Sequence, residues 1–118
     1  MINKEEFLKT CNLTEDDLTA ARISWEELTE IYEDYMSKTK LFRHLGKDSL
    51  LVACLAYQVG PYKLLGYGRM PKSTLIRKLE AGNRDIYADF IRYCHYKGKK
   101  ILSIERRRKE EYRLLFMP

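Results

Sequence analysis

The sequence is poor in several features whose abundance would decide its class. Its three cysteines, Cys11, Cys54 and Cys94, are an odd number at wide spacing, which supports neither a disulfide framework nor a zinc site. No apolar run approaches the roughly 20 residues that span a bilayer, so no membrane association is expected. The opening MINKEEFLKT is acidic and amphipathic, without the basic region and apolar stretch of a secretion signal, and the expected location is cytoplasmic. No Pro/Gly/Ser linker, repeat or low-complexity segment divides the 118 residues, so residues 1–118 are read as a single domain. With 45% hydrophobic and 33% charged residues, the composition is that of a folded chain and excludes a disordered one.

Catalytic signatures are missing as well. There is no HExxH, CxxC or GxSxG, and Gly66-Tyr67-Gly68 lacks the Gly-Lys-Ser/Thr that completes a phosphate-binding loop. Cys94 and His95 are adjacent, and neighbouring side chains on a helix diverge, so they do not form a nucleophile pair. Paired acids such as Asp16-Asp17 and Glu26-Glu27 fall in first helical turns, where the helix dipole accounts for them. Neither enzymatic activity nor a metal or other cofactor is expected.

What the chain does have is charge divided by position. Residues 1–35 carry three bases against ten acids, a net −7, and the remainder carries 19 bases against seven acids, a net +12. Either the acidic part docks on the basic part and the two cancel, or the basic part presents a surface to a polyanion or an acidic protein.

A helix-start pattern recurs near the beginning. Asn3 precedes Glu6, Thr14 precedes Asp17 and Ser24 precedes Glu27, flanked by the apolar pairs Ile2/Phe7, Leu13/Leu18 and Ile23/Leu28. Two short helices and one long one are expected in an acidic segment over residues 1–46. The long one runs from Trp25 to Leu45 on the stripe Trp25, Leu28, Ile31, Tyr32, Tyr35, Met36, Phe42 and Leu45, with Gly46 as its stop. In the central segment, residues 47–98, Asp48 is positioned to cap LLVACLAYQV, which is apolar almost all round and should be the most buried element. Residues 62–70 read either as a short helix or as a strand. Helices follow over Ser73–Ala81 and from Arg84 to Lys97, ending at Gly98. The tail, residues 99–118, has two apolar flanks around the wholly charged stretch Glu105–Glu111. A single helix would leave that middle with nothing to bury, so a β-hairpin turning near Arg107 to Glu110 is expected. The fold class is therefore α+β, mainly α, with a carboxy-terminal hairpin.

The segment MPKSTLIRKLEAGN, residues 70–83, stands out: Lys72, Ser73 and Thr74 open a helix that Arg77 and Lys78 continue as a basic face. It resembles the recognition helix of Cro/repressor-type helix-turn-helix domains over residues 62–98, with Tyr62–Gly66 as first helix and Gly68-Arg69 as turn. That resemblance implies DNA ahead of RNA as partner and, since two half-sites need two copies, a homodimer. NLTEDDL followed by SWEELTEIYEDY, within residues 5–80, also resembles the helical amino-terminal part of RelA/SpoT-type alarmone synthetases. There Arg69, Lys72, Ser73 and Lys78 would match donor-nucleotide phosphate contacts, with Tyr62–Arg69 as a strand. The metal-binding Asp and downstream Tyr and Glu of that family have no counterpart here, so this resemblance implies a shortened nucleotide-binding relative.

The expected function is non-catalytic nucleic-acid binding through Arg69, Lys72, Ser73, Thr74, Arg77 and Lys78, with Arg106, Arg107, Arg108 and Lys109 at the hairpin tip as an auxiliary phosphate contact. Tyr62, Tyr67 and Tyr96 are candidate stacking residues, because single strands bind where aromatics interleave with bases. The rival partner is an acidic protein held by the same basic face.

Overall fold

The computed structural model describes residues 3–10, 13–38 and 41–116. The three helix starts form as their sequences dictate. Asn3 accepts from the Glu6 amide at the head of α1 (Lys4–Thr10). Thr14 and Asp17 exchange hydrogen bonds in a reciprocal cap on α2 (Glu15–Ala21), and Ser24 accepts from the Glu27 amide to open α3 (Trp25–Tyr32). Leu13, Leu18, Ile23 and Leu28 are all buried behind these caps; the Ile2/Phe7 pair, Cys11 and the Met36 side chain lie outside what is described.

The expected long helix does not run through to Leu45. After Tyr32 it widens into a π-helical turn over Glu33–Lys38, and a 3-10 turn over Arg43–Asp48 contains Gly46 at φ 62°. The apolar stripe is kept despite the break, since Leu28, Ile31 and Phe42 are fully buried. A π turn adds residues to the helical repeat and so re-aims the stripe.

Helix α4 (Ser49–Val59) is the axis of the fold, with every residue from Ser49 to Ala56 buried. Asp48 does not cap it. Its carboxylate instead receives two hydrogen bonds from Arg84, at 2.9 and 2.7 Å, which hold the Arg84 guanidinium above its ordinary range, and Arg84 in turn lies 4.5 Å over the Phe116 ring. The Ser49 hydroxyl donates to the Gly46 carbonyl at 2.6 Å. Helix α3, the two turns after it and α5 (Pro61–Leu65) pack against α4. Helices α6 (Thr74–Glu80) and α7 (Tyr87–Ile91) continue the layer, α5 against α6 and α6 against α7.

The chain is mainly α with a small antiparallel hairpin, as expected, but the hairpin sits elsewhere. It pairs β1 (His95–Tyr96) with β2 (Lys99–Lys100). The helix expected from Arg84 to Lys97 accordingly stops at Ile91. The connection is Lys97-Gly98, both at positive φ (51° and 79°), the conformation that a two-residue hairpin loop demands.

The tail, expected to be a hairpin, is the longest helix described, α8 (Leu102–Leu115), packed against α2, α4 and α7. Its charged middle does have something to bury. Arg108 and Glu111 are both 0% exposed and form an ion pair; Arg108 also donates to Gln58, while Arg107 bridges Glu111 and Glu27. Pairs at i,i+3 and i,i+4, Lys109 with Glu105 and Arg113 with Glu110, support the exposed side. Burial pushes the Glu111 carboxyl up and the Arg108 guanidinium down, so each partner depends on the other for its charge. Glu111→Ala should therefore cost about 3–5 kcal/mol by stranding the arginine, whereas the joint change Arg108→Met with Glu111→Leu recovers most of it. Urea unfolding checks both; equal losses in the two variants would contradict the account.

Candidate nucleic-acid interface

Between α5 and α6 the chain makes a closed loop over residues 66–73. Gly66 ends α5 at φ 84°, where an added Cβ would lie 2.6 Å from the Met70 carbonyl oxygen. Tyr67 and Met70 then exchange both backbone hydrogen bonds, at 3.1 and 2.9 Å, around Gly68-Arg69. The Ser73 amide returns to the Leu64 carbonyl at 2.9 Å, which seats the start of α6 against the end of α5. Residues 62–70 are thus a short helix and a tight turn, and not the strand that the alarmone-synthetase resemblance implies.

This closure opens a cleft of about 390 Å³ whose lining includes Lys63 from α5, Lys72, Thr74 and Arg77 around α6, and Arg92 after α7. Lys63, Arg77 and Arg92 have no carboxylate partner among the described residues. Among the described residues the Arg77 side chain donates only to the Thr74 hydroxyl, at 3.4 Å. Asp89 also lines the cleft, but Lys78 neutralises it from behind at 2.7 Å and is held further by the Asp85 carbonyl. Lys72 is shared: its ammonium lies 2.9 and 3.1 Å from the two oxygens of Glu80, which His44 approaches at 3.1 Å. That ammonium, with His44 behind, holds Glu80 below the ordinary carboxylate range.

The sequence-predicted residues therefore separate into groups. Lys72, Ser73, Thr74 and Arg77 come together in the cleft, although the Ser73 hydroxyl is occupied in capping, accepting from the Ile76 amide at 3.2 Å. Lys78 serves Asp89. Arg69 is exposed in the adjoining turn without lining the cleft. The basic tip of a hairpin does not exist: Arg106 to Lys109 wind around α8, Arg108 is buried, Arg107 is bound to Glu27 and Glu111, and Lys109 lies 3.7 Å from Glu105. Arg106 remains exposed, on a different cleft of about 450 Å³ with Arg22 and Ser103. Lys63 and Arg92 escaped the sequence reading because nothing in their spacing, 29 positions apart, foretells that α5 and α7 flank one opening.

No family model matches the chain, and no curated protein or solved structure matches it. Among the described residues no group of His, Cys, Asp and Glu could hold a metal ion, and no helix is long and apolar enough to cross a membrane.

Two consequences follow for the cleft. Gly66→Ala adds both a clash with the Met70 carbonyl and a left-handed backbone strain of about 1–3 kcal/mol, and should lower the thermal midpoint and loosen the 66–73 loop in hydrogen exchange. Glu80→Gln should free Lys72 and raise affinity for a polyanion by about threefold, the scale of an exposed ion pair; titration with heparin reads it.

Proposed function

We propose that this protein binds nucleic acid without catalysis, using the cleft between α5, α6 and α7 as its phosphate-contacting surface. The observation that carries the proposal is that Lys63, Arg77 and Arg92, from α5, α6 and the end of α7, line one opening and pair with no carboxylate among the described residues, the Asp89 that lines it with them being taken up by Lys78. Cations arranged in that way gain by releasing the counterions of a phosphate backbone. Lys78, Arg84, Arg107 and Arg108, by contrast, are engaged by carboxylates within the fold. The proposal depends on neither family resemblance, since backbone contacts of this kind fix position and carry no sequence information.

The measurement is oligonucleotide affinity against salt. Log K should fall linearly with log salt, and Lys63→Ala, Arg77→Ala and Arg92→Ala should each weaken binding across all sequences and reduce that slope by about 1. Arg106→Ala, on the other cleft, should leave both unchanged. Absence of binding at low salt, or equal effects of Arg106→Ala and Arg77→Ala, would contradict the proposal. Retention of a protein partner after nuclease treatment, with no oligonucleotide affinity, would replace it by the acidic-protein alternative.

A further inference from the structure

The basic cleft does not end at its cations. It shares Lys63 and Met70 with a second, largely apolar depression of about 410 Å³ that Tyr62 and Tyr67 complete. These residues stand out as apolar surface left in the open: Tyr67 is 75% exposed, and Tyr62 and Met70 are 54% exposed. They are not loosely held. The Tyr62 and Tyr67 rings pack against each other with centroids 5.4 Å apart, and Tyr67 is pinned by its paired backbone bonds to Met70. Gly66 lets that turn lie close against the start of α6. Two exposed aromatic rings held in place beside the cleft's cations form a surface on which an unpaired base can stack.

We infer that the site takes a single-stranded polynucleotide, its phosphates in the Lys63/Arg77/Arg92 cleft and an unpaired base on the Tyr62/Tyr67 ledge; this rests on the nucleic-acid proposal above. The choice of strandedness follows from geometry. In a duplex the base faces are hidden in the helical stack, so the tyrosines would gain nothing and only the phosphates would be read. In a single strand each base offers a free π-face, and stacking on an aromatic side chain is tolerant of sequence. Lys63, common to both depressions, stands where the backbone of such a strand passes from phosphate to base. The ledge also accounts for Tyr62 and Tyr67 being aromatic at solvent-facing positions where the core makes no use of them.

The test compares three probes on the same protein: an oligothymidine, a duplex of equal length, and an abasic strand that keeps the phosphates and lacks the bases. The oligothymidine should bind tightest. The joint variant Tyr62→Ala with Tyr67→Ala should weaken oligothymidine binding by about tenfold or more while leaving the abasic strand unaffected. Tyr62→Phe with Tyr67→Phe should retain wild-type affinity, because the ring faces remain. Both positions are exposed, so an unchanged unfolding midpoint accompanies these results. A duplex that binds as tightly as the oligothymidine, or an alanine variant that weakens all three probes equally, overturns the single-strand inference and leaves nucleic-acid binding standing. Failure of all three probes to bind overturns both.

Discussion

The structure is organised by the need to cover helix α4 on every side. A helix whose residues Ser49–Ala56 are all buried has no polar face to offer water, and each of its neighbours must present a surface to it. Helix α3 does so with Leu28 and Ile31. Helix α8 has few apolar residues to give, and meets α4 partly with Arg108, whose charge is tolerated only because Glu111 and Gln58 are held against it. Burying an ion pair contributes little net stability and ties the partners closely to one arrangement. Cys54 shares this surrounding, and burial pushes its thiol well above the ordinary range, consistent with a packing role.

That constraint decides which charges are left for a ligand. The acidic opening and the basic remainder do meet, through Arg107 and Glu27, neither of which lines the cleft on the α5–α7 side. On that side Lys78 and Lys72 are matched to Asp89 and Glu80, and Lys63, Arg77 and Arg92 are not matched by any described carboxylate. The proposed binding surface is defined by convergence: of the cations that internal pairing leaves over, Lys63, Arg77 and Arg92 line one cleft, whereas Arg106 lies on another. The 66–73 loop, closed by the Ser73 amide and by the Tyr67–Met70 bridge, fixes how the cleft and the tyrosine ledge adjoin.

Local chemistry was legible in the sequence wherever a side chain acts on its own neighbourhood. The caps at Asn3, Thr14 and Ser24 and the almost wholly apolar α4 follow from short-range rules, and each forms as expected, whereas Ser73, read as a phosphate contact, caps α6. Readings that required partners distant in the chain failed. Asp48 looked like a cap because Arg84, 36 positions on, is invisible to a local pattern. The Glu105–Glu111 stretch looked unburiable because Glu27 and Gln58 supply what its arginines need. The hairpin was misplaced by reading Lys97-Gly98 as the end of a helix instead of as a turn. The cleft was half legible for the same reason: Lys72, Ser73, Thr74 and Arg77 lie close together in sequence at the start of α6, whereas Lys63 and Arg92 join them only through the packing of α5 and α7.

The most direct test of the central claim, that one cleft carries the contact, is residue-resolved mapping of amide shifts while an oligonucleotide is added to isotopically labelled protein. Shifts confined to residues around Lys63, the 66–77 segment and Arg92 are the predicted result. Shifts concentrated instead on the α2–α8 cleft around Arg22 and Arg106, or spread evenly over every exposed base, would contradict it.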